Sequence, residues 1–173
     1  MHRPMIALAF LVLIVSAMTT ALADSSAARM PDASWLAGSW KCVSQLAAMG
    51  NAPAHTETST MTFQPVLNGA WLEQSYAGKG YALRGFWRFE KPAHSWTFIS
   101  ADSLGEYGIE HSSAVMQHGG NILTLSGSIM LAGQKMSVMD YMTRRGETLE
   151  HVGKMMQNGK WTQGDKTTCT RNG

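Results

Sequence analysis

The chain has 173 residues, with 14 Lys and Arg against 12 Asp and Glu and a formal net charge of +2. That near balance gives no electrostatic basis for binding nucleic acid or an acidic membrane surface, and neither a clustered basic stretch nor a glycine-rich phosphate loop adds one. Two cysteines are too few for a disulfide-dense scaffold, and neither Cys-x-x-Cys nor His-Glu-x-x-His spacing occurs to support a zinc centre.

In chain order, residues 1–23 read as an export signal. Arg3 supplies a positive start, Met5 to Ala17 form an apolar stretch broken only by Ser16, and Ala21-Leu22-Ala23 has the small-x-small pattern of a cleavage site. The stretch falls short of the roughly 20 residues that a membrane span needs, and no stop-transfer pattern follows. Cleavage near Ala23 is therefore expected, giving a periplasmic or secreted chain with no stable membrane anchor. Only Arg3 among the charged residues is lost, so the mature net charge falls to about +1. Residues 24–34 are small and polar and are expected to be flexible. Residues 35–173 are expected to form a single domain.

From Trp35 onward, strand-like runs recur with turn residues between them. They are Gly38–Leu46, Thr58–Gln64, Ala70–Ala77, Tyr81–Glu90, Ser95–Ala101, Gly108–Gln117, Asn121–Ser128, Lys135–Arg144, Thr148–Met156 and Trp161–Arg171. Asn68-Gly69, Lys79-Gly80, Gly119-Gly120, Gly133 and Asn158-Gly159 punctuate them, and Asn-Gly suits a two-residue hairpin turn. The pattern predicts an all-β, antiparallel up-and-down meander of about ten strands, closed into a barrel. Within it, a turn from Glu90 to Ser95 sets Phe89 opposite Trp96 and Trp87 opposite Phe98, gathering four aromatic rings on one inner face.

Cys42 and Cys169 lie near the two ends of the expected domain, and export favours a disulfide between them. A bridge makes the first and last strands neighbours, antiparallel if the strand number is even. Opposed residue numbers then share a constant sum, which also sets Arg171 across from Trp40 in cation–π reach.

These residues bring a family into view. Gly38-Ser39-Trp40 resembles the Gly-x-Trp opening of lipocalins, in which an arginine of the last strand often covers the tryptophan, here Arg171. Roughly Trp35 to Cys169 resembles a bacterial family of exported, calycin-like (lipocalin-like) proteins described as a domain of unknown function. The likeness lies in Leu36-Ala37-Gly38-Ser39-Trp40, in Leu67-Asn68-Gly69-Ala70-Trp71-Leu72-Glu73-Gln74, in Gly85-Phe86-Trp87-Arg88-Phe89-Glu90 running on to Trp96, and in Asp102-Ser103-Leu104-Gly105. The resemblance implies a barrel with an internal cavity and specifies no substrate.

The expected function is the binding of a small apolar or amphipathic molecule in that cavity, lined by Trp87, Phe98, Tyr141 and His151. His151 shares strand parity with Leu149 and Met155 and is the histidine expected to face inward. No catalytic residue, metal or cofactor is assigned. Haem, which some calycin-like barrels hold through one histidine, would make His151 its ligand. Met136, Met139 and Met142 have the spacing of a copper(I) site, but on a strand Met139 faces away from the other two. Two alternatives stay open. One is a small-molecule isomerase or hydrolase at the rim between Asp102 and His111, with Glu106, Glu110 and His111 as its polar groups. The other is a filled barrel whose outer face, marked by Phe86, binds a partner. The inward residue of the pair Glu73 and Gln74 is undetermined, because a one-residue slip at the Gly78–Gly80 turn exchanges them.

Overall fold

A computed structural model describes residues 35–48, 53–112 and 122–172. The expected signal and flexible segments, and the part of the predicted sixth run beyond Ser112, lie outside those residues. Ten strands follow in chain order: β1 (Gly38–Leu46), β2 (His55–Val66), β3 (Trp71–Gly78), β4 (Tyr81–Glu90), β5 (Ser95–Asp102), β6 (Tyr107–Ser112), β7 (Ile122–Leu131), β8 (Gln134–Arg145), β9 (Thr148–Gln157) and β10 (Lys160–Arg171). Each pairs antiparallel with its sequence neighbours, and β10 returns to β1 to close the barrel.

Tight turns make this meander feasible. At Asn158-Gly159 both residues take positive φ, 49° and 76°, the left-handed pair that a two-residue hairpin turn requires. Observed strand ends differ from the predicted ones by a few residues. Two ends differ by three residues: β7 runs on to Leu131, and β2 begins at His55, because Thr56, Glu57 and Thr58 continue the ladder with β1. Strand pairing there does not need apolar side chains, so hydropathy alone understates the strand.

The seam follows the constant-sum register. Cys42 opposes and is bonded to Cys169, with Cα atoms 4.0 Å apart, and Trp40 opposes Arg171. The Arg171 guanidinium lies 4.5 Å from the centre of the Trp40 ring and donates to the carbonyls of Ala37 and Trp35. Trp40 Nε1 donates to Leu36 O at 2.9 Å, tying the segment before β1 beneath the barrel. This end is the apolar floor. Trp35, Leu36, Trp40, Phe63, Leu72, Trp96, Leu123, Leu125, Met142 and Leu149 are buried there around the disulfide.

The β4–β5 hairpin has the predicted register. Trp87 stacks on Phe98 with ring centres 4.3 Å apart, and Phe89 tilts against Trp96 at 5.3 Å. Gly85 is required beside this shelf, because a Cβ there would strike the Phe98 ring. The ring therefore lies along the wall rather than across the barrel. On the outer wall Phe86, Ile99 and Ile109 stand in one row across β4, β5 and β6, each partly exposed.

Candidate binding site in the barrel lumen

Above the floor, the inward face changes from apolar to polar. Strand alternation turns Ser44 of β1, Glu57 and Ser59 of β2, Gln74 and Tyr76 of β3, Glu110 of β6, Asp140 of β8, His151 of β9 and Thr167 of β10 toward the lumen. A bulge between Gln163 and Asp165 re-aims the start of β10 and sets Asp165 on the inward side. Glu73 faces outward, where it pairs with Arg84 and accepts from Gln64, so the register left open by the sequence resolves with Gln74 inside.

These groups form a nearly continuous polar chain around the wall. Tyr76 Oη donates to Glu57 at 2.6 Å, and Ser44 hydrogen-bonds Thr167 at 2.8 Å. Thr167 Oγ1 donates to Asp165. His151 bridges two acids, with Nδ1 3.1 Å from Asp165 and Nε2 3.0 Å from Asp140. Closer to the floor, Gln74 accepts from Trp87 Nε1 at 2.8 Å, joining the polar chain to the aromatic shelf.

Electrostatics sort the protons among these groups. Burial disfavours a charged His151, but the Asp165 charge and the bond to Asp140 outweigh it and hold the imidazole well above its ordinary value. Burial likewise works against an ionised Asp140, yet the His151 hydrogen bond and charge keep it below the usual carboxylate range. Glu110 goes the other way. Its burial, then its hydrogen bond to Asp140 and that residue's charge, push it up to about 9. At neutral pH Glu110 is thus a neutral acid that donates to ionised Asp140, beside an imidazolium held between two carboxylates. Carboxyl Oε2 of Glu110 is buried with no hydrogen-bond partner among the described residues.

The cluster depends on a glycine. A Cβ at Gly153 would collide with Asp165 Oδ1 and come within 3.0 Å of Asp140 Oδ1, on the wall behind the imidazole. Gly153→Ala is expected to destabilise the fold by about 1–3 kcal/mol through overpacking. It should also bring the His151 titration, followed by NMR, down toward the ordinary imidazole value. An unchanged His151 titration would mean that the carboxylates hold their positions without this space.

The site differs in part from the one predicted. Trp87, Phe98 and His151 face the lumen. Tyr141 does not: it alternates with inward Asp140 and Met142, and it stands on the outer wall with Lys154 Nζ 5.2 Å from its ring centre. The rim group also separates. His111 is exposed on the outer face against Thr97, whereas its neighbour Glu110 is buried inside. Asp102 accepts from the backbone amides of Leu104 and Glu106, shaping the β5–β6 turn. Asp102 and Glu106 therefore stay close to each other and to Tyr81, while His111 stands apart on the outer wall. His151 does not fit a haem ligand in this arrangement, because both ring nitrogens are engaged by carboxylates. Among the described residues, no three His, Cys, Asp or Glu side chains are placed to hold a metal ion.

A ten-stranded up-and-down barrel closed by its terminal strands, with an apolar floor and a polar upper lumen, is consistent with a lipocalin- or calycin-like fold. In comparisons with known proteins, no family model matches the chain and no curated sequence is significantly similar to it.

Proposed function

We propose that this protein binds a small, partly apolar molecule in the lumen of its barrel, acting outside the cytoplasm as a carrier or sequestering protein. One observation carries the proposal. The side chains of Asp140, Asp165 and His151 face inward and are walled by neighbouring strands, yet keep 18%, 25% and 27% of their surface exposed. That exposed surface on the inner wall leaves room beside these groups for a small molecule. An apolar shelf with a few convergent polar groups above it is the usual composition of a small-molecule pocket. The Cys42–Cys169 bond agrees with an oxidising compartment, and the likeness to exported calycin-like proteins points the same way.

The test uses protein purified without denaturant and a neutral apolar fluorophore, N-phenyl-1-naphthylamine. Saturable enhancement at one dye per barrel is expected, with displacement of any co-purified mass seen by native mass spectrometry. An absence of saturable dye binding, together with no bound mass, would remove the reading.

A second reading, acid–base catalysis in the lumen, draws on the neutral Glu110 beside ionised Asp140. Environments that drive two carboxyls apart can separate an acid from a base. Against it, His151 has no free nitrogen to act as a base toward a substrate. Turnover that disappears in Glu110→Gln would favour this reading over simple binding.

A further inference from the structure

Resting on the reading of the lumen as a binding cavity, we infer that its ligand is an organic cation, a protonated amine carried on an apolar body. The described inward positions of the upper half hold five carboxyl groups, Glu57, Asp102, Glu110, Asp140 and Asp165, with one imidazole, His151, and below the rim no lysine or arginine. The two arginines with inward parity are at the opposite end, each stacked over a tryptophan: Arg171 over Trp40 and Arg144 over Trp35. Lys79, Lys135 and Lys160 stand exposed at the rim, where water screens them. With one carboxyl protonated and one balanced by His151, the lumen keeps surplus negative charge.

Hydrogen-bonding capacity leans the same way. Glu110 Oε2 and Ser59 Oγ are buried inside the barrel, their residues 3% and 9% exposed, and neither atom has a hydrogen-bond partner among the described residues' fixed donors. Carboxylate oxygens are acceptors only, so a lumen rich in them is complemented by a group with several donors and a positive charge. An ammonium supplies three donors and that charge. Beside it, the stacked Trp87 and Phe98 rings offer an apolar surface with π-faces that also attract cations. The His151 imidazolium is already held between Asp140 and Asp165, so a carboxylate ligand, such as a fatty acid, would find no unpaired cation among the described inward residues.

Three probes with closely similar bodies separate the possibilities: 2-phenylethylamine, 2-phenylethanol and phenylacetate, titrated calorimetrically and by tryptophan fluorescence at pH 6.5. The amine is expected to bind about ten-fold more tightly than the alcohol, and phenylacetate most weakly, with the amine's advantage shrinking as salt rises. Glu57→Gln keeps an acceptor for Tyr76 while removing one charge. It should weaken the amine by roughly three-fold or more and leave the alcohol unchanged. Equal binding of amine and alcohol, or tightest binding of phenylacetate, overturns the cation inference while the cavity stands. If none of the three binds and N-phenyl-1-naphthylamine also fails, the cavity itself is refuted.

Discussion

Replacing Cys42 and Cys169 together by serine is expected to lower the unfolding free energy by about 4–5 kcal/mol. The two cysteines are 127 residues apart in sequence, so the bond closes nearly the whole barrel into one loop and removes much of the unfolded chain's freedom. Among the described strands it also clamps the one neighbouring pair that is not consecutive in sequence, β1 and β10. Urea unfolding of the double variant, set beside oxidised and dithiothreitol-reduced wild type, checks this. The variant and the reduced protein should coincide. A difference below about 1 kcal/mol from the oxidised protein would show that the seam holds through its hydrogen bonds and the Trp40–Arg171 contact alone.

Stability is also expected to peak in mildly acidic solution and to fall as pH rises through neutrality. The folded Glu110 carboxyl titrates near 9 rather than 4.5, so folding takes up a proton between those values, and stability is lost steadily as pH rises across that window. His151 acts in the same direction. Its folded value is raised above 6.5, so its contribution is complete below that pH and is lost as pH rises through the folded value. Asp140 has the opposite sign. Its depressed value adds stability above about 3.8 that disappears as pH falls. The maximum therefore lies between about pH 4 and 5.

Glu110→Gln isolates one of these contributions. The amide is neutral at every pH and can still donate to Asp140, so the variant should be more stable than wild type by roughly 4–5 kcal/mol at pH 8. Its stability should also vary less between pH 5 and 9. Thermal unfolding of both proteins across that range is the measurement. A flat wild-type profile, or a variant less stable than wild type at pH 8, would mean that Glu110 is ionised in the fold.

Much of the barrel was legible because its signals are local and periodic. Short apolar runs separated by glycine turns gave ten strands. The pairing of Cys42 with Cys169 then carried the register around the seam to Trp40 and Arg171 without any coordinate. The same constant sum opposes Leu46 to Asp165, so the inward aim of that acid is legible in the sequence. Asp140 was available too, since it shares parity with Met136 and Met142. Tyr141 was misplaced for the complementary reason: a residue next to an inward methionine on a strand points outward, whatever its taste for pockets. Glu110 was hidden by an inverted pattern. In β6 the apolar Ile109 is on the outer wall and the acid is inside, so a rule that buries the hydrophobic face assigns both residues backwards. That inversion is most tolerable where the interior is wet and other polar groups can share a proton, which hydropathy cannot register.

Arg171 and the segment before β1 meet at the floor, and Asn172 donates its backbone amide to Ser39 O at 2.9 Å. The two ends of the barrel are therefore already side by side, far from the mouth. A short flexible linker could fuse them, and new ends could be cut at the Ala132-Gly133 turn on the opposite rim without breaking a strand. Such a circular permutant would keep every pairing of the sheet while turning the covalent seam into an ordinary hairpin. The disulfide would then close only a short loop, and most of its stabilisation would become redundant.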